Sequence, residues 1–377
     1  MIKEKRLLRF TPAVFAVHNN YAVTCLTEKN VLLCLEIGGK RYYDDSNGVI
    51  RCRERSHTVS VPIKALDESG KYSVVCRKVV KRLGDYTETL DEVRYDFAFK
   101  PVKCGEPINI YQIADAHQKP VFPERAAKFY GDELNLLVIN GDTFDYLNKE
   151  NDFDYLFRLI QNVTEGKIPV IFAKGNHDNR GAFAECLERF SPTFNGKSYY
   201  TFRLGEIWGL VLDCGVNCVD ESPEYGHTVC HHLFRVEETE FIERVIEDRK
   251  NEYEAEGVKV RVVISHAAIN NVRCKPFDIE RDIYGKWVKL INENVKPDFM
   301  MSGHLHITRF CLPGDELDTL GLDCPFIIGA DPVGWQTGVL TDYIGLAVTI
   351  DGQKVKTAFT DSGSNVLERN EFTLKNR

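Results

Sequence analysis

The sequence predicts an α/β (α+β) region preceded by an all-β region, on three observations. Up to about residue 104 it consists of short β-rich runs between turn residues, with no helical period. Beyond residue 107, strand-like apolar runs alternate with amphipathic stretches. Several of those later runs end directly in aspartate and histidine motifs. The 377 residues suit two domains or one large one. With 43% hydrophobic and 28% charged residues, the composition is globular and excludes collagen-like and disordered chains.

The first region carries the runs Ala13 to Val17, Tyr21 to Leu26, Val31 to Ile37, Val59 to Ile63, Tyr72 to Val80 and Val93 to Phe99. Breaks such as Asn19-Asn20, Gly38-Gly39, Ser46-Asn47-Gly48 and Glu68-Ser69-Gly70 lie between them. About seven short strands in about 100 residues predict an antiparallel sandwich of the immunoglobulin or fibronectin III kind over residues 1–104. The Pro- and Gly-bearing stretch from Phe99 to Pro107 reads as the linker, and residues 105–377 as the second domain.

There the strand-like runs are Ile108 to Ala114, Leu134 to Ile139, Ile168 to Ala173, Ile207 to Asp213, Val258 to Ser265, Phe299 to Ser302 and Ile344 to Ile350. Helical patterns cover Glu124 to Tyr130, Tyr155 to Val163, Ala182 to Phe190, Glu237 to Ala255 and Ile283 to Val295.

Charge is uneven along the chain. Residues 1–104 hold 19 basic and 13 acidic residues, and the remainder 29 and 43. A second region at −14 suits cation binding and argues against a nucleic-acid groove; alternatively the two regions simply complement each other. No run of 18 apolar residues and no secretory leader is present, so neither a membrane span nor membrane association is expected. The 12 scattered cysteines read as thiols of a reducing compartment, which points to the cytoplasm.

Five strand-like runs are followed by metal-ligand residue types: Asp115-Ala116-His117, Gly141-Asp142-Thr143-Phe144-Asp145, Gly175-Asn176-His177-Asp178, Ser265-His266 and Gly303-His304-Leu305-His306. Ligands gather at the carboxyl ends of strands in open α/β sheets, so groups this far apart in sequence can converge. Five of the ten histidines fall in these motifs. Two divalent cations close together would polarise a phosphoryl group and ionise a bridging water, given a carboxylate shared between them; Asp142 is the natural bridge. Imidazole–carboxylate donors suit Mn, Fe, Zn, Ni or Co rather than Ca or Mg.

In this order, D-x-H, GD-x-x-D, GNH-D, H and GH-x-H resemble the calcineurin-like metallophosphoesterase superfamily over roughly residues 108–310. That resemblance implies a four-layer α/β/β/α core and two transition-metal ions. Asp115, His117, Asp142 and His306 would hold one ion; Asp142, Asn176, His266 and His304 the other. Asn176 would also touch substrate. His177 would contact the phosphate and assist the leaving oxygen, with Asp178 orienting its imidazole. A metal-bridging hydroxide would attack phosphorus in line.

Within the superfamily, purple acid phosphatases would show D-x-G and GD-x-x-Y, where this chain has His117 and Asp145. Protein phosphatases would show GD-x-V-D-R-G and GNHE. The pattern is nearest the cyclic-nucleotide and glycerophosphodiester phosphodiesterases, so a small-molecule phosphodiester is the expected substrate. A phosphomonoesterase is the alternative; a nuclease or a non-catalytic metal-binding scaffold ranks lower.

Some residues carry two readings. Asp145 orients a ligand or caps a following helix. Arg180 clamps a phosphate oxygen or sits in solvent. Trp335 stacks on a substrate ring or covers the core edge. The Cys- and His-rich segment from Cys214 to His232 forms a loop over the site, where His227 or His231 touches substrate, or a separate zinc site. The first domain could bind a partner, cover the cleft or form a homo-oligomer through a sheet edge.

Overall fold

The computed structural model describes residues 6–45, 48–216, 218–228, 231–272 and 280–375. Near the N-terminus lie seven strands: β1 (Ala13–Val17), β2 (Asn20–Leu26), β3 (Val31–Ile37), β4 (Lys40–Tyr43), β5 (Ser56–Pro62), β6 (Lys71–Arg82) and β7 (Thr87–Ala98). They form two antiparallel layers, β1–β2–β5 and β4–β3–β6–β7. Alternate residues turn inward, as the pleat requires. Tyr21, Val23 and Cys25 of one layer meet Val31, Leu33, Leu35, Val74 and Cys76 of the other in one core. This is the expected sandwich.

Two features depart from the sequence reading. Ile63, read as the last residue of a strand, instead opens a short helix, α1 (Ile63–Ser69), closed by Gly70 at φ 60°. Strand β1 also pairs in parallel with β10 (Val170–Ala173), so the first layer continues the catalytic sheet. The 99–107 stretch is fastened as well: Phe99 and Val102 are buried, and the Lys100 N–H donates to the Lys167 carbonyl.

The remaining strands are β8 (Ile108–Ile113), β9 (Leu136–Asn140), β11 (Tyr200–Leu204), β12 (Ile207–Leu212), β13 (Val260–Ser265), β14 (Phe299–Ser302), β15 (Ile307–Cys311), β16 (Phe326–Asp331), β17 (Ile344–Asp351), β18 (Lys354–Thr360) and β19 (Val366–Thr373). Two parallel groups, β8–β9–β10 and β12–β13–β14–β16, are joined through β17. Both carry apolar residues on both faces, as buried parallel strands must.

Those faces define four layers. Ile110, Val138 and Ile171 of the first group share one core with Val262, Met301 and Ile327 of the second. The outer face of the first group, with Leu137, Ile139 and Phe172, packs against α2 (Val121–Ala126) and α3 (Asp154–Thr164) through Leu156, Phe157 and Ile160. The outer face of the second, with Leu210, Val263 and Met300, packs against α4 (His231–Glu247) and α5 (Arg281–Leu290) through Ile242, Trp287 and Val288. The α/β/β/α order is thus present.

Helix extents differ from expectation in several places: the helix expected over Glu124 to Tyr130 ends at Ala126 and continues as 3₁₀ turns, the one expected over Ile283 to Val295 is α-helical only to Leu290, and the long helix begins at His231 rather than Glu237. Residues 184–189 form only 3₁₀ turns. The long helix stops at Glu247; beyond it the chain continues in tighter turns, with the Asn251 N–H donating to the Asp248 carbonyl at 2.9 Å. Among the described residues no helix is long and apolar enough to cross a membrane.

Candidate metal centre

Each motif leaves the carboxyl end of a parallel strand: Asp115 and His117 after β8, Asp142 after β9, Asn176 and His177 after β10, His266 after β13, and His304 and His306 after β14. The backbone is bent sharply there. Asp115, His117, Asp142, His304 and His306 all have φ between 46 and 70°. Left-handed backbone costs a non-glycine residue on the order of 1 kcal/mol or more, and its concentration at one point marks a functional site.

The side chains converge. Donor atoms within 4.8 Å of one another form three groups: Asp115, His117 and His306; His117, Asp142 and His177; and Asp142, His266 and His304. Asp142 and His117 each belong to two of them, and Asp142 is the carboxylate of that pair. Nε2 of His117 and Nε2 of His306 lie 3.0 Å apart. Donors about 2.0–2.1 Å from one cation and at right angles lie about that far from each other. Buried Asp115 Oδ1, Asn176 Oδ1 and His266 Nε2 have no hydrogen-bond partner. Orphaned polar atoms on three of the motifs, with a mixed imidazole–carboxylate donor set, fit transition-metal ions.

Fixed bonds aim these donors. His266 Nδ1 lies 2.7 Å from the Asn140 carbonyl, the position for its N–H to donate, which leaves Nε2 3.2 Å from Asp142 Oδ2. Asp142 Oδ1 accepts the His177 N–H at 2.8 Å, and Asp115 Oδ2 accepts the His304 N–H at 2.9 Å. Beneath them, Asn140 Nδ2 donates to Gln112 Oε1 and Gln112 Nε2 to the Ser302 carbonyl, locking β8, β9 and β14 together. Sequence reading passed over Asn140 and Gln112; a polar residue inside an apolar strand was the available signal.

Two close approaches require glycine. A Cβ on Gly141, at φ 79°, would sit 2.4 Å from His266 Nδ1, and one on Gly175 would sit 2.2 Å from the Asp142 nitrogen.

The charges are strongly coupled. Burial disfavours a charged His266, but the Asp142 and Asp115 carboxylates override it and push its pKa up to about 10. Burial likewise opposes ionisation of Asp142, yet His266 holds that carboxyl well below its usual range. His304 is pushed down to about 4 by burial and by the His266 charge.

His177 is only part-buried. Its Nε2 is 3.9 Å from Asp142 Oδ2, and Arg180 Nη1 lies 2.9 Å from Nε2 and 3.0 Å from Nδ1. A guanidinium at that position competes with any cation for the ring nitrogens. Burial first, then Arg180, brings the His177 pKa down to about 4.

Asp178 does not hold the His177 imidazole, contrary to expectation. Its buried carboxylate accepts the backbone N–H groups of Asp142 (3.1 Å), Phe144 (3.1 Å) and Gly175 (2.8 Å). It therefore clamps two motif loops to each other. Burial and the adjacent Asp142 push its pKa up to about 7. Asp145 instead lies beside an imidazole: its Oδ1 is 2.9 Å from His117 Nδ1. No helix begins at Asp145, so the capping reading fails.

The segment after β12 is described except for residues 217, 229 and 230. His227 is exposed and pairs with the Glu221 carbonyl in its own loop. Cys214 is buried with its Sγ 3.0 Å from Ser265 Oγ. Among the described residues no cluster of metal-ligand type forms there.

Residues 108–308 match the family model of the calcineurin-like phosphoesterases. The chain belongs to that family and is a hydrolase acting on phosphate esters. Among solved structures, it is similar to a purple acid phosphatase from yellow lupin (Lupinus luteus) seeds, with 12% identity, 96% of this chain and 74% of that one covered, and a TM-score of 0.57. It is also similar to PhoD, with 11% identity, 99% and 90% covered, and a TM-score of 0.55. At these identities the likeness is one of fold. No curated protein matches the chain in sequence.

Proposed function

We propose that the protein is a two-metal phosphodiesterase. The observation that carries this is the convergence of aspartate and histidine donors from five strand ends into three overlapping groups, with Asp142 the carboxylate common to two of them. Asp115, His117, Asp142 and His306 hold one ion, and Asp142, Asn176, His266 and His304 the other. Ions there supply Lewis acidity toward a phosphoryl group and lower the pKa of water to near neutrality. Their identity is left open among Mn, Fe, Zn, Ni and Co.

The chain's own residues do the rest. His177, in the part-exposed mouth, hydrogen-bonds a phosphate oxygen, and the negative charge of that phosphate offsets burial and Arg180 and favours the imidazolium, which delivers a proton to the departing alkoxide. Arg180, against the His177 ring, shares the charge on the equatorial oxygens. Lysines beside the motifs are already engaged: Lys174 faces Asp213 at 3.7 Å, and Lys119 Nζ donates to the Gly338 carbonyl. A monoester carries close to two negative charges at neutral pH and a diester one. Among the described residues this sparse cationic lining favours the diester, as does the His117 and Asp145 motif pattern.

The test is hydrolysis of bis-p-nitrophenyl phosphate and p-nitrophenyl phosphate side by side, on metal-stripped protein with and without Mn²⁺, with Asp142→Asn as control. Metal-dependent diester turnover that vanishes in the control is expected. Turnover of the monoester alone would establish a phosphomonoesterase instead.

A further inference from the structure

Trp335 comes from the far end of the chain, yet its ring lies flat on His117. The centroids are 3.9 Å apart and the planes 21° from parallel. The same indole meets His306 edge-on, at 5.4 Å and 86°. Lys119 Nζ stands 4.6 Å from the centroid of the indole. His117 and Lys119 therefore both pack against the indole.

The loop that carries Trp335 is built to hold still. It turns at Gly334 and Gly338, with φ 90 and 78°. Backbone bonds close it from Trp335 to Pro332, from Gly338 to Trp335 and from Thr341 to Val333, each 2.9 Å. It is tied down on both sides of the D-x-H motif. After the loop, the Tyr343 hydroxyl accepts the Ala114 N–H at 2.9 Å and donates to the Ala114 carbonyl at 2.6 Å, directly before Asp115. Lys119, two residues past His117, donates to the Gly338 carbonyl at 3.3 Å.

His117 needs such support. Whereas His266 has its ring set by a hydrogen bond to the Asn140 carbonyl, His117 Nδ1 lacks a well-aligned one, because Asp145 Oδ1 lies near it but off the N–H direction. Its backbone is also left-handed, at φ 46°. A flat contact over the whole ring fixes the imidazole rotation that a hydrogen bond would otherwise fix.

We infer that Trp335, clamped by Lys119, is the positioning residue that holds His117 in its ligating orientation and closes the outer side of the Asp115–His117–His306 metal position. The inference rests on the two-metal reading and adds that the two positions differ in what supports them. Loss of the indole weakens one ion and spares the one held by Asp142, His266 and His304.

The experiment is a calorimetric titration of metal-stripped protein with Co²⁺, with the visible Co²⁺ spectrum recorded alongside, for the native chain, Trp335→Ala and Trp335→Phe. The native chain is expected to bind two ions. Trp335→Ala should bind one with unchanged affinity and the other on the order of 10–100-fold more weakly, with the corresponding absorption lost. Trp335→Phe, which keeps a flat face, should recover most of the second affinity. Trp335→Leu, bulky without a flat face, should behave as Trp335→Ala and replaces it if that variant does not fold. Two ions bound to Trp335→Ala or Trp335→Leu at native affinity would overturn the inference alone, as would equal weakening of both ions. A native chain that binds fewer than two ions would overturn the two-metal reading as well.

Discussion

Replacing Asp178 separates two roles for a buried carboxylate, as a clamp on two loops or as an orienter of His177. In Asp178→Ala, three buried N–H groups, those of Asp142, Phe144 and Gly175, lose their acceptor. At roughly 1–3 kcal/mol for each unsatisfied group the gross loss is about 3–9 kcal/mol. Water entering the space recovers part of that, so a net destabilisation of about 3–5 kcal/mol is expected, the range for breaking a buried charged network. Asp178→Asn is milder. Oδ2 serves Asp142 and Gly175 while Oδ1 serves Phe144, so an amide nitrogen in the Oδ1 position strands one N–H, at about 1–3 kcal/mol. Urea unfolding of metal-stripped protein, followed by circular dichroism, reads both values without interference from bound ions. The same variants should bind metal more weakly, because the Asp142 backbone is no longer held. An Asp178→Ala variant within about 1 kcal/mol of the native chain, with only turnover reduced, would refute the clamp and restore the orienter role.

Other expectations follow from the same geometry. Asp142→Asn and His304→Ala should lose nearly all turnover together with bound metal, whereas His177→Ala should retain metal and lose rate by about 10²–10⁴-fold; metal analysis beside kcat separates the two, and metal loss in His177→Ala would contradict its assignment. Gly175→Ala would force a Cβ to 2.2 Å from the Asp142 nitrogen, so metal affinity should fall even if the fold survives; unchanged affinity by titration would count against that close approach. Glu238 is fully buried, its Oε1 accepts the Asp213 N–H at 2.9 Å, and burial followed by the Asp213 charge raises its pKa well above the usual value. A raised folded-state pKa contributes stability below the unfolded value near 4.3 and loses it as pH climbs. The melting temperature of Glu238→Gln should therefore gain on the native chain between pH 5 and pH 8, and a constant difference would show that Glu238 does not titrate with folding.

Much of this protein could be read from its sequence because the relevant signals are local. Alternation in β5 reports a half-buried pleat, and mostly apolar runs such as Leu136–Asn140 and Val260–Ser265 report strands covered on both faces. Motif residues follow directly on those runs because a sheet offers its ligand positions at strand ends. The tertiary structure decided what depends on partners from other elements, some 34 positions away and others more than a hundred. Asp178 points at the Asp142 and Phe144 nitrogens rather than at its neighbour His177, because Gly175 lets the two loops touch. Strand β1 joins β10, and Trp335 settles on His117, across 155 and 218 positions of sequence. Periodicity and spacing report what a residue's own element requires of it. Which distant surface satisfies that requirement is set only when the layers pack and each buried polar group and ring must find a partner.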